Sequence, residues 1–194
     1  GWRLGHGGAH LKYGVNPDIA VFAKGMSNGF PMAAVIGRNE VMEAAQTTFI
    51  SSSYWTERIG PVAALTTIKK MINQKVVSHL DKIGSILKAG IKRAAKKSTV
   101  KVNVSGLNPL IHIEFMYGDK SSALRTLFTQ EMLKRGILAS ETIYLNYSFK
   151  NHHAKRYLKA VNEIFPILSK AVKYGNVNKL LKGPVAKTGF KRLT

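Results

Sequence analysis

The sequence predicts an α/β protein, and three observations predict it. Two short, continuous apolar runs bounded by Gly and Pro stand near the start, at Ile19–Phe22 and Met32–Ile36. Long stretches after Arg58 carry apolar residues every three or four positions, the spacing of a helix with one buried face. Between those stretches lie further short apolar runs separated by turn residues, which read as strands.

The bulk composition narrows the chemistry. With 194 residues and 45% hydrophobic content the chain has material for one ordinary domain or for pieces of two. It contains no cysteine, which excludes a disulfide framework, a thiolate nucleophile and a cysteine-ligated metal. No run of about 18 apolar residues is present, and no basic-then-apolar leader opens the chain, so no membrane association is expected and a cytoplasmic location is. Thirty Lys and Arg against ten Asp and Glu give a formal charge of +20, a balance that favours anionic partners. The basic residues are spread along helices and the C-terminal tail, without a ribonucleoprotein, zinc-finger or basic-zipper pattern, so nucleic acid is not the expected partner.

Element by element, Gly1 to Asn16 holds six glycines and reads as an irregular loop. Ile19–Phe22 is too short for a helix and reads as a strand buried on both faces, with parallel neighbours. Met32–Ile36 reads as a second buried strand, and Asn39 as the cap of a short helix to Gln46. A helix is predicted from about Arg58 through Ile72, with Pro61 tolerated in its first turn, and another from Val76 to Lys97. Val100–Val104, Leu110–Phe115 and Ile137–Ala139 are predicted strands, Ser121–Lys134 a helix stopped by Gly136, and Asn151–Tyr174 a last amphipathic helix. The tail beyond Gly175 is expected to be loosely held. The predicted divisions are therefore 1–75, a connecting helix over 76–99, a small α/β domain over 100–174, and a basic tail over 175–194.

The chemistry-bearing segment is the one around Lys24. A lysine placed where a buried strand runs out lies at the edge of the sheet where open α/β folds collect ligands. Partial desolvation of an amine there favours its neutral, nucleophilic form toward an aldehyde. Gly25 and Gly29 are expected to leave room for a flat ring, and Pro31 to stiffen the exit. The hydroxyl run Ser51-Ser52-Ser53 leads into a helix, whose free N–H groups and positive dipole end suit a phosphate; a plain capping cluster is the other reading of the same residues. His6 and His10 have no Asp, Glu or Cys at ligand spacing, so no metal site is expected.

The string Pro17-Asp18-Ile19-Ala20-Val21-Phe22-Ala23-Lys24-Gly25-Met26-Ser27-Asn28-Gly29-Phe30-Pro31 resembles the pyridoxal-phosphate lysine signature of class III aminotransferases, most closely the glutamate-1-semialdehyde aminomutase branch. Gly1-Trp2-Arg3 and Tyr13-Gly14-Val15-Asn16-Pro17-Asp18 are similar to the stretch that follows an Asp-Glu pair in that family. Phe49 to Pro61 resembles the segment by which the family's partner subunit reaches the cofactor phosphate, with Ser53 in place of the usual Thr. The resemblance covers Gly1 to Tyr174 and is strongest up to Met71.

It implies the C-terminal part of a fold type I transferase: the end of the large, mostly parallel sheet domain plus the small C-terminal domain. It also implies pyridoxal 5'-phosphate as cofactor, held as a Schiff base on Lys24 with Ser52 and Ser53 at the phosphate. A small amino substrate, transaminase or aminomutase outcomes, and a homodimer for the full-length protein follow in the same way. The acid that pairs with the ring nitrogen, the stacking aromatic and the near-side phosphate loop would lie before residue 1, and the absence of an initiating Met fits a fragment, expected to be inactive alone. Two other readings stay open: a basic α/β module that binds a polyanion, and a degenerate homologue that keeps the fold as an interaction surface.

Overall fold

The structure is a computed structural model in which residues 1–187 and Gly189 are described. The chain divides into two compact units, Gly1–His79 and Leu80–Thr194. The division falls inside a long helix that the sequence predicts as one piece.

The first unit contains a short helix α1 (Ala9–Lys12), a strand β1 (Ile19–Phe22) and a strand β2 (Ala34–Gly37). A second short helix α2 (Asn39–Met42) continues as a 3-10 turn over Glu43–Gln46, and α3 (Ile59–Asn73) follows. β1 and β2 pair antiparallel with Ile19 opposite Gly37 and Phe22 opposite Ala34. The open end of this pair is tied by the Arg38 N–H donating to the Asp18 carbonyl at 3.0 Å and by an Arg38–Asp18 ion pair at 3.1 Å. A Cβ at Gly37 would lie 2.5 Å from the same carbonyl, which is why a glycine closes the strand.

Two expectations are corrected here. The two strands are not buried on both faces and have no parallel neighbour: Val21 is 69% exposed, and Val35 and Ile36 are exposed too. An apolar run reads as doubly covered, but a two-stranded sheet has nothing to cover its second face. Asn39 does not cap α2; Arg38, extended and still bonded to Asp18, is the flanking residue, and no side chain caps the helix.

The second unit is a three-stranded antiparallel sheet backed by three helices. α4 (Val76–Ser98) leads into β3 (Val102–Leu107), which turns through Asn108-Pro109 into β4 (Leu110–Phe115); α5 (Ser121–Lys134), β5 (Thr142–Tyr144) and α6 (Asn151–Lys173) follow. The sheet order is β3-β4-β5, with Val102 opposite Phe115 and Leu110 opposite both Leu107 and Tyr144. β4 alternates strictly: Ile111, Ile113 and Phe115 face the core while His112 and Glu114 are exposed. Helical residues at three- and four-residue spacing meet that face, among them Leu87 and Ile91 of α4, Leu124 and Phe128 of α5, and Ile164 and Phe165 of α6, all essentially buried. Phe115, Phe128 and Phe165 form the centre, with ring centroids 5.7, 6.2 and 6.4 Å apart in tilted and edge-on contacts.

The hairpin tip is fastened to α4. The Asn108 side-chain amide donates to Asp81 at 2.8 Å and to Ser85 at 2.9 Å, and Lys88 Nζ donates to the Gly106 carbonyl at 2.7 Å. Gly84 sits directly beneath, where a Cβ would lie 1.9 Å from the Asn108 carbonyl oxygen.

The predicted strand over Ile137–Ala139 is absent; β5 lies instead at Thr142–Tyr144. Gly136 takes φ 69° at the end of α5, its N–H donates to Leu133, and the Ile137 N–H donates to Met132 at 3.0 Å. The amide that a strand would use is therefore spent closing the helix, and Leu138 is left 88% exposed. The tail is less loose than expected through Lys187: Gln130 bonds both the Leu180 carbonyl and the Lys182 N–H, and Thr126 accepts from the Ala186 N–H. The rest of the expected tail, Thr188 and 190–194, lies outside the described residues.

Candidate active site

Lys24 stands two residues beyond the end of β1, as the first residue of a 3-10 turn over Lys24–Met26. Its backbone takes φ 54°, a left-handed conformation unusual for a residue with a long side chain, and Asn28 (φ 51°) and Gly29 (φ 111°) follow in the same half of conformational space. Three such residues within six reverse the chain tightly between the two strands and set Lys24 at the bend. Strain of this kind is retained where surrounding contacts fix it.

Those contacts are visible. Met26 and Ser27 are buried, and the Ser27 hydroxyl donates to the Phe30 carbonyl, pinning the far side of the turn. On the near side Trp2 packs against Gly25 and, with its ring 5.8 Å from that of Phe22, covers the end of β1; His10 meets the other edge of Phe22 at 6.2 Å. Gly60 lets the first turn of α3 close on the exit of the segment, since a Cβ there would stand 2.7 Å from the Pro31 carbonyl. Lys24 itself projects outward and is exposed, with no hydrogen-bond or ion-pair partner among the described residues. The expected partial desolvation of its amine is thus not provided by the surroundings described.

The glycine roles also differ from expectation. A Cβ on Gly25 would make ordinary contact with Trp2 at 3.6 Å, and one on Gly29 would meet open space. What Gly29 supplies is its φ of 111°, which side-chain-bearing residues rarely adopt, rather than clearance.

Ser52 and Ser53 lie on an exposed stretch leading to α3, where the Ser52 hydroxyl accepts from the Tyr54 N–H at 3.1 Å. No hydrogen bond joins either serine to Lys24 among the described residues. The free N–H groups expected at the start of α3 are taken by Glu57, whose carboxylate accepts from the Ile59 N–H and, at 2.8 Å, from the Gly60 N–H. An acid two residues before a helix satisfies those donors and the dipole together. A phosphate at Ser52 and Ser53 would therefore meet hydroxyls rather than the helix terminus. Sequence reasoning missed Glu57, although an acidic residue just ahead of Ile59-Gly60-Pro61 is a readable N-terminal signal.

Among the described residues no three His, Asp or Glu side chains cluster as metal ligands, and no helix is long and apolar enough to cross a membrane.

Comparison with known proteins agrees with this arrangement. The glutamate-1-semialdehyde 2,1-aminomutase of Clostridium kluyveri is 31% identical over 180 residues, which are 84% of this chain and 43% of that enzyme. The 3-aminobutyryl-CoA aminotransferase of Cloacimonas acidaminovorans is 29% identical over 140 residues, 71% of this chain and 34% of that enzyme. The chain thus spans less than half the length of these relatives. Among solved structures, the FumI protein of Sphingopyxis sp. MTA144 superposes with a TM-score of 0.79 at 20% identity, over 93% of this chain and 44% of that one. An omega-transaminase from Sphaerobacter thermophilus gives 0.75 at 21% identity, over 87% and 42%. With residues 3–165 matching aminotransferase class-III, the chain belongs to the class-III aminotransferase family.

Proposed function

We propose that Lys24 carries pyridoxal 5'-phosphate and that the protein transfers an amino group to or from a small amino-bearing substrate, as a transaminase or an aminomutase. The observation that carries this reading is the Lys24 turn: an unpartnered primary amine at the end of a strand, held at φ 54° by a buried Ser27 on one side and by Trp2 on the other. The relatives' names support the reaction class and do not separate the two outcomes.

The residues fit the cofactor. The Lys24 amine is free to bond an aldehyde carbon, and the exposed hydroxyls of Ser52 and Ser53 suit phosphate oxygens. When bound, the cofactor supplies an electron-withdrawing ring that stabilises negative charge on a substrate carbon. Lys24 does the rest of what this chain contributes. Its amine holds the group until a substrate amine takes its place, and the freed Nζ then accepts a proton from the substrate carbon and returns it. The Ser27–Phe30 contact and Trp2 orient that amine by fixing the turn that carries it. In this reading Ser52 and Ser53 serve the phosphate of a partner subunit, so a homodimer belongs to the proposal, as does a cytoplasmic setting; the support for both is the resemblance in sequence.

The test is the absorbance spectrum of the purified protein with added pyridoxal 5'-phosphate, beside Lys24→Ala. Borohydride reduction and peptide mapping then locate the adduct. A yellow, reducible adduct on the peptide containing Lys24, absent from the variant, is the expected result. A folded protein that forms none, or that labels its many lysines evenly, refutes the assignment.

A further inference from the structure

The +20 charge is not shared evenly between the two units. Gly1–His79 holds 8 Lys and Arg against 4 Asp and Glu, a net +4, whereas Leu80–Thr194 holds 22 against 6, a net +16. A composition bias spread over the whole chain does not produce that difference.

Within the second unit the acids are largely consumed. Glu131 pairs with Lys134 and Arg135, Glu163 with Arg135, Glu141 with Arg125, and Asp81 bonds Asn108. The helices α4 and α6 carry six and five Lys or Arg, with Asp81 and Glu163 as their sole acids. An ordinary solvated helix face interleaves the two signs at three- and four-residue spacing, because such pairs stabilise it.

These two helices lie side by side and run in the same direction. Gly90 of α4 meets Leu158 of α6, and farther along Thr99 Oγ1, just past the end of α4, stands 3.3 Å from Ser169 Oγ of α6. A shallow groove between them, about 320 Å³, is lined in part by Lys97 and Lys170. Helical spacing places Lys82, Arg93 and Lys97 along the exposed flank of α4, and Lys155, Lys159, Lys170 and Lys173 along that of α6, with no acid in either row. Each helix has 23 residues and so extends about 34 Å at roughly 1.5 Å per residue. The rows are set by packed axes about 8–10 Å apart.

We propose that this paired-helix face binds a double-stranded nucleic acid through its phosphates. Two rows of cations at that separation match the scale of duplex grooves, about 6 Å for the minor and 12 Å for the major. The rows carry no aromatic side chain, so they offer no platform for stacking unpaired bases, and a duplex is favoured over a single strand. Contact is made to the backbone and not to base edges, and recognition is therefore independent of sequence.

The test is a fluorescence-anisotropy titration of the 194-residue chain with a mixed-sequence duplex at several salt concentrations. Each phosphate neutralised contributes about −0.9 to the slope of log K against log salt. Replacing Arg93, Lys97, Lys159 and Lys170 by Gln is expected to make the slope shallower by about 3–4 on that rule. The same loss of charge at Lys12, Lys69, Lys70 and Lys75 is expected to leave it nearly unchanged. Both sets are exposed, and circular dichroism confirms the fold of each variant. Absence of duplex binding at low salt overturns the proposal, as does an equal loss from the two sets. Polyglutamate or phosphatidylserine vesicles competing as well as the duplex also overturn it, by assigning the face to an acidic protein or a membrane. Lys24→Ala leaves the affinity unchanged, so this proposal and the one for Lys24 fail separately.

Discussion

Replacing Gly84 by Ala gives the sharpest check on how the second unit is built, because helix propensity and packing predict opposite signs. In the interior of α4, Ala is favoured over Gly by about 0.8–1.0 kcal/mol. The added Cβ, however, would stand 1.9 Å from the Asn108 carbonyl oxygen and 2.4 Å from its carbon, both backbone atoms of a two-residue hairpin turn. Neither can rotate aside, so the β3–β4 tip must lift from the helix. Overpacking of this kind costs about 1–3 kcal/mol. Lifting the tip also weakens the Asn108 bonds to Asp81 and Ser85, each a net ~0.5–1.5 kcal/mol. The balance is a loss of about 3 kcal/mol, visible as a lower urea midpoint and a melting temperature depressed by roughly 10 °C. Gly90→Ala is the control: its Cβ would meet Leu158 Cδ2 at 2.5 Å, the far end of a flexible side chain that can rotate away, so propensity and repacking leave it within about 1 kcal/mol of the parent. If Gly84→Ala is as stable as Gly90→Ala, or more stable than the parent, the hairpin is not seated on α4 as described.

Two further outcomes follow from polar groups in the same unit. Burial pushes the Glu131 carboxyl up, but hydrogen bonds from Lys134, Gln130 and Arg135 outweigh it and hold the group below its usual range. A carboxyl whose folded value is depressed contributes stability above its unfolded value, and that contribution is lost as pH falls through the folded one. Melting temperatures between neutral and acid pH should therefore fall less steeply for Glu131→Gln than for the parent, from a neutral-pH stability already about 1.5–3 kcal/mol lower. The Tyr157 hydroxyl is buried with no hydrogen-bond partner, and burial pushes its ionisation up. Tyr157→Phe should accordingly be neutral or stabilising by about 1 kcal/mol, since it removes an unsatisfied polar group and keeps the ring; a loss beyond 1 kcal/mol in thermal unfolding would point to a bound water on that hydroxyl.

Periodic features were the legible ones. The amphipathic repeat located α4, α5 and α6 to within a residue at either end, and alternation along Leu110–Phe115 located β4 and its inward face. Features that depend on a single backbone amide were not. Ile137–Ala139 has the composition of a strand, but the Ile137 N–H closes α5, a choice made by the φ of Gly136 and not by hydrophobicity. The order in the tail comes from Gln130 and Thr126 meeting backbone groups some 50 to 60 residues away, and isolated polar pairings leave no periodic trace in a sequence.

The candidate site divides along the same line. That a turn of left-handed residues follows β1 was readable in part, because Asn28-Gly29 is a known carrier of positive φ, and the resemblance fixed Lys24 as the residue of interest. The desolvation of its amine was not readable, because environment is not a local property: β1 has the apolar text of a buried strand whether or not anything lies against it. Val21 at 69% exposed and Lys24 without a partner are one observation seen twice, a strand and its terminal amine both facing open space. The local geometry that positions the amine is therefore complete within this chain, through Trp2, Ser27 and Gly60, while the means of keeping it neutral is not. If that separation is right, added pyridoxal 5'-phosphate should still react selectively at Lys24, but with a pH dependence like that of a solvated lysine. Labelling that is selective and already complete at neutral pH would show that the described surroundings do tune the amine, and would refute the separation.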